Sequence, residues 1–126
     1  MPHTPPVPLA GISSMATRQL LADLLATWQA QGGQPVAMAS VGGVDAAKRV
    51  AAGEAVDLVV LASDAIDALV AGGHLLAGSR VDLVQSAVAV AVPAGAPRPE
   101  IGSEAALRAA VLAAPTIGYS TGPSGT

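Results

Sequence analysis

The chain has 126 residues and a mass of 12.2 kDa, with 52% hydrophobic and only 12% charged residues, a composition that specifies a globular fold and excludes a disordered segment. With no Phe, one Trp and one Tyr it cannot build the aromatic platforms on which single-stranded nucleic acid stacks. A net charge of −3 and only six scattered basic residues remove the electrostatic footprint of phosphate-backbone binding, so no nucleic-acid partner is expected.

Cysteine is absent, which rules out disulfides, thiolate metal ligation and a cysteine nucleophile, and leaves the compartment open. The longest apolar run, Ala-Val-Ala-Val-Ala-Val at 87–92, falls far short of the ~18 residues of a membrane span. Residues 1–8 are proline-rich, lack Lys and Arg and lead into no long apolar stretch. They read as a flexible tail rather than a secretory signal peptide, which makes the chain cytoplasmic if Met1 is its native start.

In chain order, Ser14 is a good N-cap ahead of apolar positions Leu20, Leu21, Leu24, Leu25 and Trp28, whose spacing predicts a helix that stops at Gly32-Gly33. Residues 35–39 read as a strand, 45–52 as a helix ended by Gly53, and 56–61 as a nearly all-apolar strand. Asp64 caps a helix with Ile66, Leu69 and Val70 inward, stopped at Gly72-Gly73. Two valine-rich runs at 80–84 and 86–92 read as strands. Residues 93–99 form a proline and glycine turn region, 103–113 a helix with Leu107, Val111 and Leu112 inward, and 115–118 a last short strand. Strands alternating with helices, and strands that are apolar throughout, predict an α/β fold with a mostly parallel sheet flanked by helices on both faces.

In such sheets ligands gather outside the carboxyl ends of the strands, where helix N-termini supply unpaired N–H groups. Three loops fit this place: Gly11-Ile12-Ser13-Ser14, Ser40-Val41-Gly42-Gly43, and Ser120-Thr121-Gly122-Pro123-Ser124-Gly125 with Tyr119 beside it. Each offers hydroxyls and glycine-freed N–H groups with no basic side chain, a set suited to cradling an anion with neutral dipoles. Each also has a plain structural reading: Ser14 as an ordinary N-cap, Gly42-Gly43 as a strand-to-helix turn, the last loop as a tail. Their coincidence points to one crevice, with Ser13, Ser14, Ser40, Gly42, Gly43, Tyr119, Ser120, Thr121 and Ser124 as candidate ligand-binding residues.

Other chemistries find less support. Gly118-Tyr119-Ser120-Thr121-Gly122 matches the G-x-S-x-G nucleophile elbow, but the acid and histidine of a triad should follow the serine, and His3 and His74 both precede it. A serine hydrolase therefore survives only as a fragment. No phosphate-binding G-x-x-x-x-G-K-[ST] or G-x-G-x-x-G is present. The two histidines lack metal-ligand spacing, and neither a metal nor another cofactor is expected. Asp45, Asp64 and Asp67 read as capping or helix-dipole residues. Arg18, one turn beyond Ser14, either faces the crevice or lies on a solvated helix face.

Ser13-Ser14-Met15-Ala16-Thr17-Arg18, the stretch from Ser40 to Arg49, Asp57-Leu58-Val59-Val60-Leu61-Ala62-Ser63-Asp64 and the loop from Gly118 to Gly125 together resemble the molybdate-binding-protein-like family of bacterial solute-binding proteins. That resemblance implies a periplasmic-binding-protein fold of type 2, two α/β lobes closing on a ligand, and partnership with the membrane subunits of an ABC importer. It also implies a periplasmic location, no catalysis, and a small oxyanion such as molybdate or tungstate as ligand, with a small organic carboxylate as alternative. By position, Ser14 supplies the family's helix-opening hydroxyl, the 40–43 loop a backbone N–H at Gly43 and the Ser40 hydroxyl, and Ser124 a backbone N–H. The family presents a serine where Gly43 stands, and its members run to roughly twice this length. The implied organisation is lobe one at 9–83, a hinge crossing at 84–88, and the start of a truncated lobe two at 89–126, whose exposed apolar surface favours self-association. A cytoplasmic module that binds small carboxylates is the third reading.

Overall fold

A computed structural model describes residues 7–120; the expected tail at 1–6 and the loop at 121–126, with Thr121 and Ser124, lie outside them. The chain divides into two compact units, Met1–Leu83 and Val84–Thr126.

The first unit runs β1 (Leu9–Ser14), a 3-10 turn (Met15–Thr17), α1 (Arg18–Ala30), β2 (Val36–Val41), α2 (Gly43–Ala51), β3 (Leu58–Val60) and α3 (Ser63–Ala71). Its three strands are parallel in the order β2-β1-β3, so β1 is central. This is the α/β architecture the alternating pattern implies. Strand geometry sends successive side chains to opposite faces. Ile12 points to one face and joins Ala46 and Val50 of α2 and Leu69 of α3 in the buried core, with Val41, Val56, Val59, Leu61 and Leu75 packed around it. Burying each of the larger aliphatic side chains is worth about 1.5–3 kcal/mol. The opposite face carries Val36, Met38 and Ser40 of β2, which share a groove with Arg18, Ala22 and Leu25 of α1. Thus α1 covers one face of the sheet while α2 and α3 cover the other, as successive right-handed crossovers in opposite directions require.

The helix stops follow from backbone geometry. Gly32 and Gly53 have φ of 84° and 91°, a left-handed conformation open to glycine because it has no Cβ to clash. Around Gly32 the Gly33 N–H reaches the Trp28 carbonyl and the Gly32 N–H that of Gln29, and the same pair of bonds closes α2 through Glu54 to Arg49 and Gly53 to Val50. Gly33 is further constrained because any Cβ there would run into the Trp28 ring, whose Nε1–H donates to the Gln34 carbonyl at 2.9 Å.

Several expectations are corrected. Asp64 does not cap α3, whose N-cap is Ala62, but lies in its first turn, and Leu107, Val111 and Leu112 are exposed rather than inward. Gly11 to Ser14 is not a loop after a strand but most of β1 itself, and Ser40 likewise belongs to β2. The valine-rich runs at 80–84 and 86–92, and residues 115–118, form no strands. β-propensity favours an extended chain, but a strand exists only where a neighbour completes its hydrogen bonds, and Val81 and Val88 are instead largely exposed. The second unit has one helix among its described residues, α4 (Glu104–Ala113), whose N-cap Ser103 accepts a hydrogen bond from the Ala106 N–H at 3.1 Å.

Candidate functional site

The carboxyl end of β1 is the natural place for a ligand. From it the chain leaves for α1 on one face, whereas the chain leaving its neighbours β2 and β3 enters α2 and α3 on the other. Between strands whose connections diverge in this way a crevice opens at the sheet edge. Ser13 and Ser14 end β1 at that point.

The two adjacent serines have different environments. Ser13 is fully buried. It lies opposite Ser40 in the parallel register, and the two hydroxyl oxygens are 2.7 Å apart. Ser13 Oγ also donates to the Ser14 carbonyl at 3.0 Å. A hydroxyl has one proton. With the Ser13 proton on that carbonyl, the Ser40 proton goes to Ser13, and Ser40 is left with lone pairs only.

Ser14, one residue on, points to the other face, where its register partner Val41 packs against the core formed with α2. Ser14 is not the N-cap of α1, because a 3-10 turn intervenes, and its hydroxyl makes no capping bond and no other hydrogen bond within the described residues. The cap position of α1 falls to Thr17, whose hydroxyl oxygen is buried and has no partner among the described residues. Such an orphaned group costs about 1–3 kcal/mol unless something fills its valence.

Gly42 caps α2 through its backbone in an extended conformation, φ −55° and ψ 141°, without a side-chain bond, and Gly43 opens the helix. The first N–H groups of any helix have no partner inside it, so α2 presents open donors and the positive end of its dipole at the edge where Val41, opposite Ser14, ends its strand. Asp45 in the first turn of α2 adds a negative charge there. The other end of α2 is closed off by Arg49, bound to Glu54 through two hydrogen bonds of 2.9 and 2.8 Å; the Glu54 hydrogen bond, and then its charge, raise the Arg49 pKa further.

Ser13, Ser14, Ser40, Gly42 and Gly43 thus belong to one end of one sheet. Tyr119 and Ser120 belong to the second unit and are exposed. The strand that a nucleophile elbow at Ser120 needs is missing, since 115–118 is irregular. No group of three or more potential metal ligands occurs among the described residues.

Sequence reasoning missed two residues. Thr17 gave no signal because the break between Ser14 and α1 is not encoded by a glycine or proline. Asp57 ties β3 to β1 by accepting from the Ala10 N–H at 2.8 Å, while its own N–H donates to the Ala10 carbonyl at 2.7 Å. Its place just before an apolar strand was the available hint.

Comparison with known proteins gives three findings. The sequence model of a family described as bacterial extracellular solute-binding protein matches residues 9–126. A curated relative from Pseudomonas sp., named aconitate isomerase, is 42% identical over 77 residues, which are 61% of this chain and 29% of the relative. The match therefore spans less than a third of that relative's length. No solved structure matches the chain. The first finding carries the solute-binding part of the resemblance and not its molybdate-specific part. The second corrects the expectation of no catalysis, because the relative bears the name of an enzyme. No helix among the described residues is long and apolar enough to cross a membrane.

Proposed function

Because the chain belongs to the bacterial extracellular solute-binding protein family, we propose that the carboxyl edge of its sheet binds a small organic polycarboxylate, with aconitate the first compound to test as ligand and as substrate for isomerisation. One observation carries this reading: the Ser14 hydroxyl, free of any partner among the described residues, stands on the side of the sheet where α2 presents an N-terminus without a side-chain cap. A hydroxyl donor and open helical N–H groups together stabilise a carboxylate. The orphaned Thr17 hydroxyl near the same edge supports the same conclusion. The choice of aconitate, an unsaturated tricarboxylate, rests on the name of the curated relative.

The family description favours a second role, delivery of the bound solute to an ABC importer from the periplasm. In that role the ligand extends to inorganic oxyanions such as molybdate and tungstate, which the same neutral donors suit.

Calorimetric titration against cis-aconitate, trans-aconitate, citrate, molybdate, tungstate and sulfate tests the ligand class, and incubation with one aconitate isomer followed by chromatography tests the isomerase activity. Tight binding of the tricarboxylates with appearance of the second isomer is the expected result. Binding without conversion leaves the solute-carrier role standing. Binding of molybdate or sulfate with no response to any carboxylate overturns the polycarboxylate reading.

A further inference from the structure

The face of the sheet that Ser14 does not use holds a second feature. Between α1 and β2 lies a groove of about 530 Å³ lined by Arg18, Ala22, Leu25, Val36, Met38 and Ser40. Strand direction orders this lining. Val36 is at the amino end of β2 and Ser40 near its carboxyl end, while Arg18 opens α1 at the same carboxyl edge. Ala22, Leu25, Val36 and Met38 therefore place aliphatic side chains along a groove whose open surface is more polar than apolar, with Arg18 and Ser40 where it meets the edge that carries Ser14.

Charge is distributed unevenly around it. Arg18 is the one cation of the lining, and no carboxylate lines it. The other two arginines of the first unit are neutralised, Arg49 by Glu54 and Arg80 by Asp67 and Asp82. The Arg18 side chain makes no ion pair or hydrogen bond within the described residues. Ser40, its polar neighbour in the groove, has its proton directed to Ser13 when Ser13 donates to the Ser14 carbonyl. In that arrangement Ser40 accepts but cannot donate, and a group entering from solvent meets the guanidinium as its hydrogen-bond donor.

We propose that Arg18 recognises a second carboxylate of the ligand, so that one carboxylate sits at Ser14 and the α2 N-terminus, another pairs with Arg18 across the edge of the sheet, and the carbon skeleton between them meets the aliphatic side chains at the mouth of the groove. The inference deepens the polycarboxylate reading and rests on it. The guanidinium fork matches a planar carboxylate with two parallel hydrogen bonds, a geometry that Lys cannot reproduce. The aliphatic side chains of Ala22, Leu25, Val36 and Met38 give a carbon skeleton surface to lie against and give no hydrogen bond to the oxygens of a tetrahedral inorganic anion. Arg18 is thus the residue that selects organic polycarboxylates over monocarboxylates and over molybdate or sulfate.

The test is a titration of the whole chain and its Arg18→Gln and Arg18→Lys variants against three probes: tricarballylate, acetate and molybdate. Losing a hydrogen-bonded charge pair should weaken tricarballylate about 10- to 100-fold, with Arg18→Lys intermediate and the affinities for acetate and molybdate unchanged. Arg18 is exposed, so the denaturant midpoints of both variants should match the parent, which separates lost recognition from lost folding. Tricarballylate binding that drops on Ser14→Ala but not on Arg18→Gln defeats the assignment of Arg18 alone. An equal loss for all three probes reduces Arg18 to a general attractive charge and also overturns it. A parent chain that binds no tricarballylate removes the polycarboxylate reading and Arg18's role together.

Discussion

The hydroxyls of Ser13 and Ser40 are 2.7 Å apart at a matched position of the β1–β2 ladder, with Ser13 completely buried. Two hydroxyl protons serve this pair and the Ser14 carbonyl. Such a pair fixes the orientation of the residues that end the two strands, and removing either member changes what its neighbour offers.

Ser13→Ala and Ser40→Ala should each destabilise the chain by about 0.5–1.5 kcal/mol. The double variant should cost less than the sum, because it leaves no hydroxyl stranded. Urea unfolding of the three variants measures the coupling; strict additivity would show that the hydroxyls do not act as a pair.

Ser14→Ala should weaken binding of a polycarboxylate about 10- to 100-fold, the value of a hydrogen bond to a charged group. Its unfolding midpoint should be unchanged, because the hydroxyl makes no capping bond to lose. A shifted midpoint with unaltered affinity would make Ser14 a structural residue.

Asp45→Asn removes a negative charge from the first turn of α2. The anion should then bind more tightly, by a few-fold at low ionic strength, while α2 loses about 0.3–1 kcal/mol of favourable dipole interaction. The gain should fade as salt is raised towards ~1 M, where the screening length falls to ~3 Å. Titrations at two ionic strengths, alongside thermal unfolding, read both effects; an affinity that falls on Asp45→Asn would give the carboxylate a positive part in binding.

Gly11→Ala brings a Cβ to 2.6 Å from Met38 Cε and 2.9 Å from its Sδ. These are the far end of a flexible side chain, so the strain is relieved by moving Met38, at a cost of about 1 kcal/mol, the lower end for overpacking. Met38→Ala in the Gly11→Ala background should cost less than Met38→Ala alone. Equal costs in the two backgrounds, measured by denaturant unfolding, would place the strain in the backbone instead.

The amino-acid sequence determined what depends on local order. Apolar spacing marked α1 and α3, glycines marked where these helices and α2 stop, and the alternation of strand and helix required a parallel sheet. Gly32 and Gly53 were legible because a positive φ is a property of one residue and its bonds to the preceding turn. Tertiary structure alone decided what depends on register and on neighbours. Ser13 and Ser14 look alike in sequence, yet the twofold alternation of a strand and its one-to-one pairing with β2 bury the first against Ser40 and leave the second without a partner among the described residues. The valine runs after Arg80 carry the composition of strands and are not strands, because a β-strand's hydrogen bonds come from another segment and no property of its own residues supplies them.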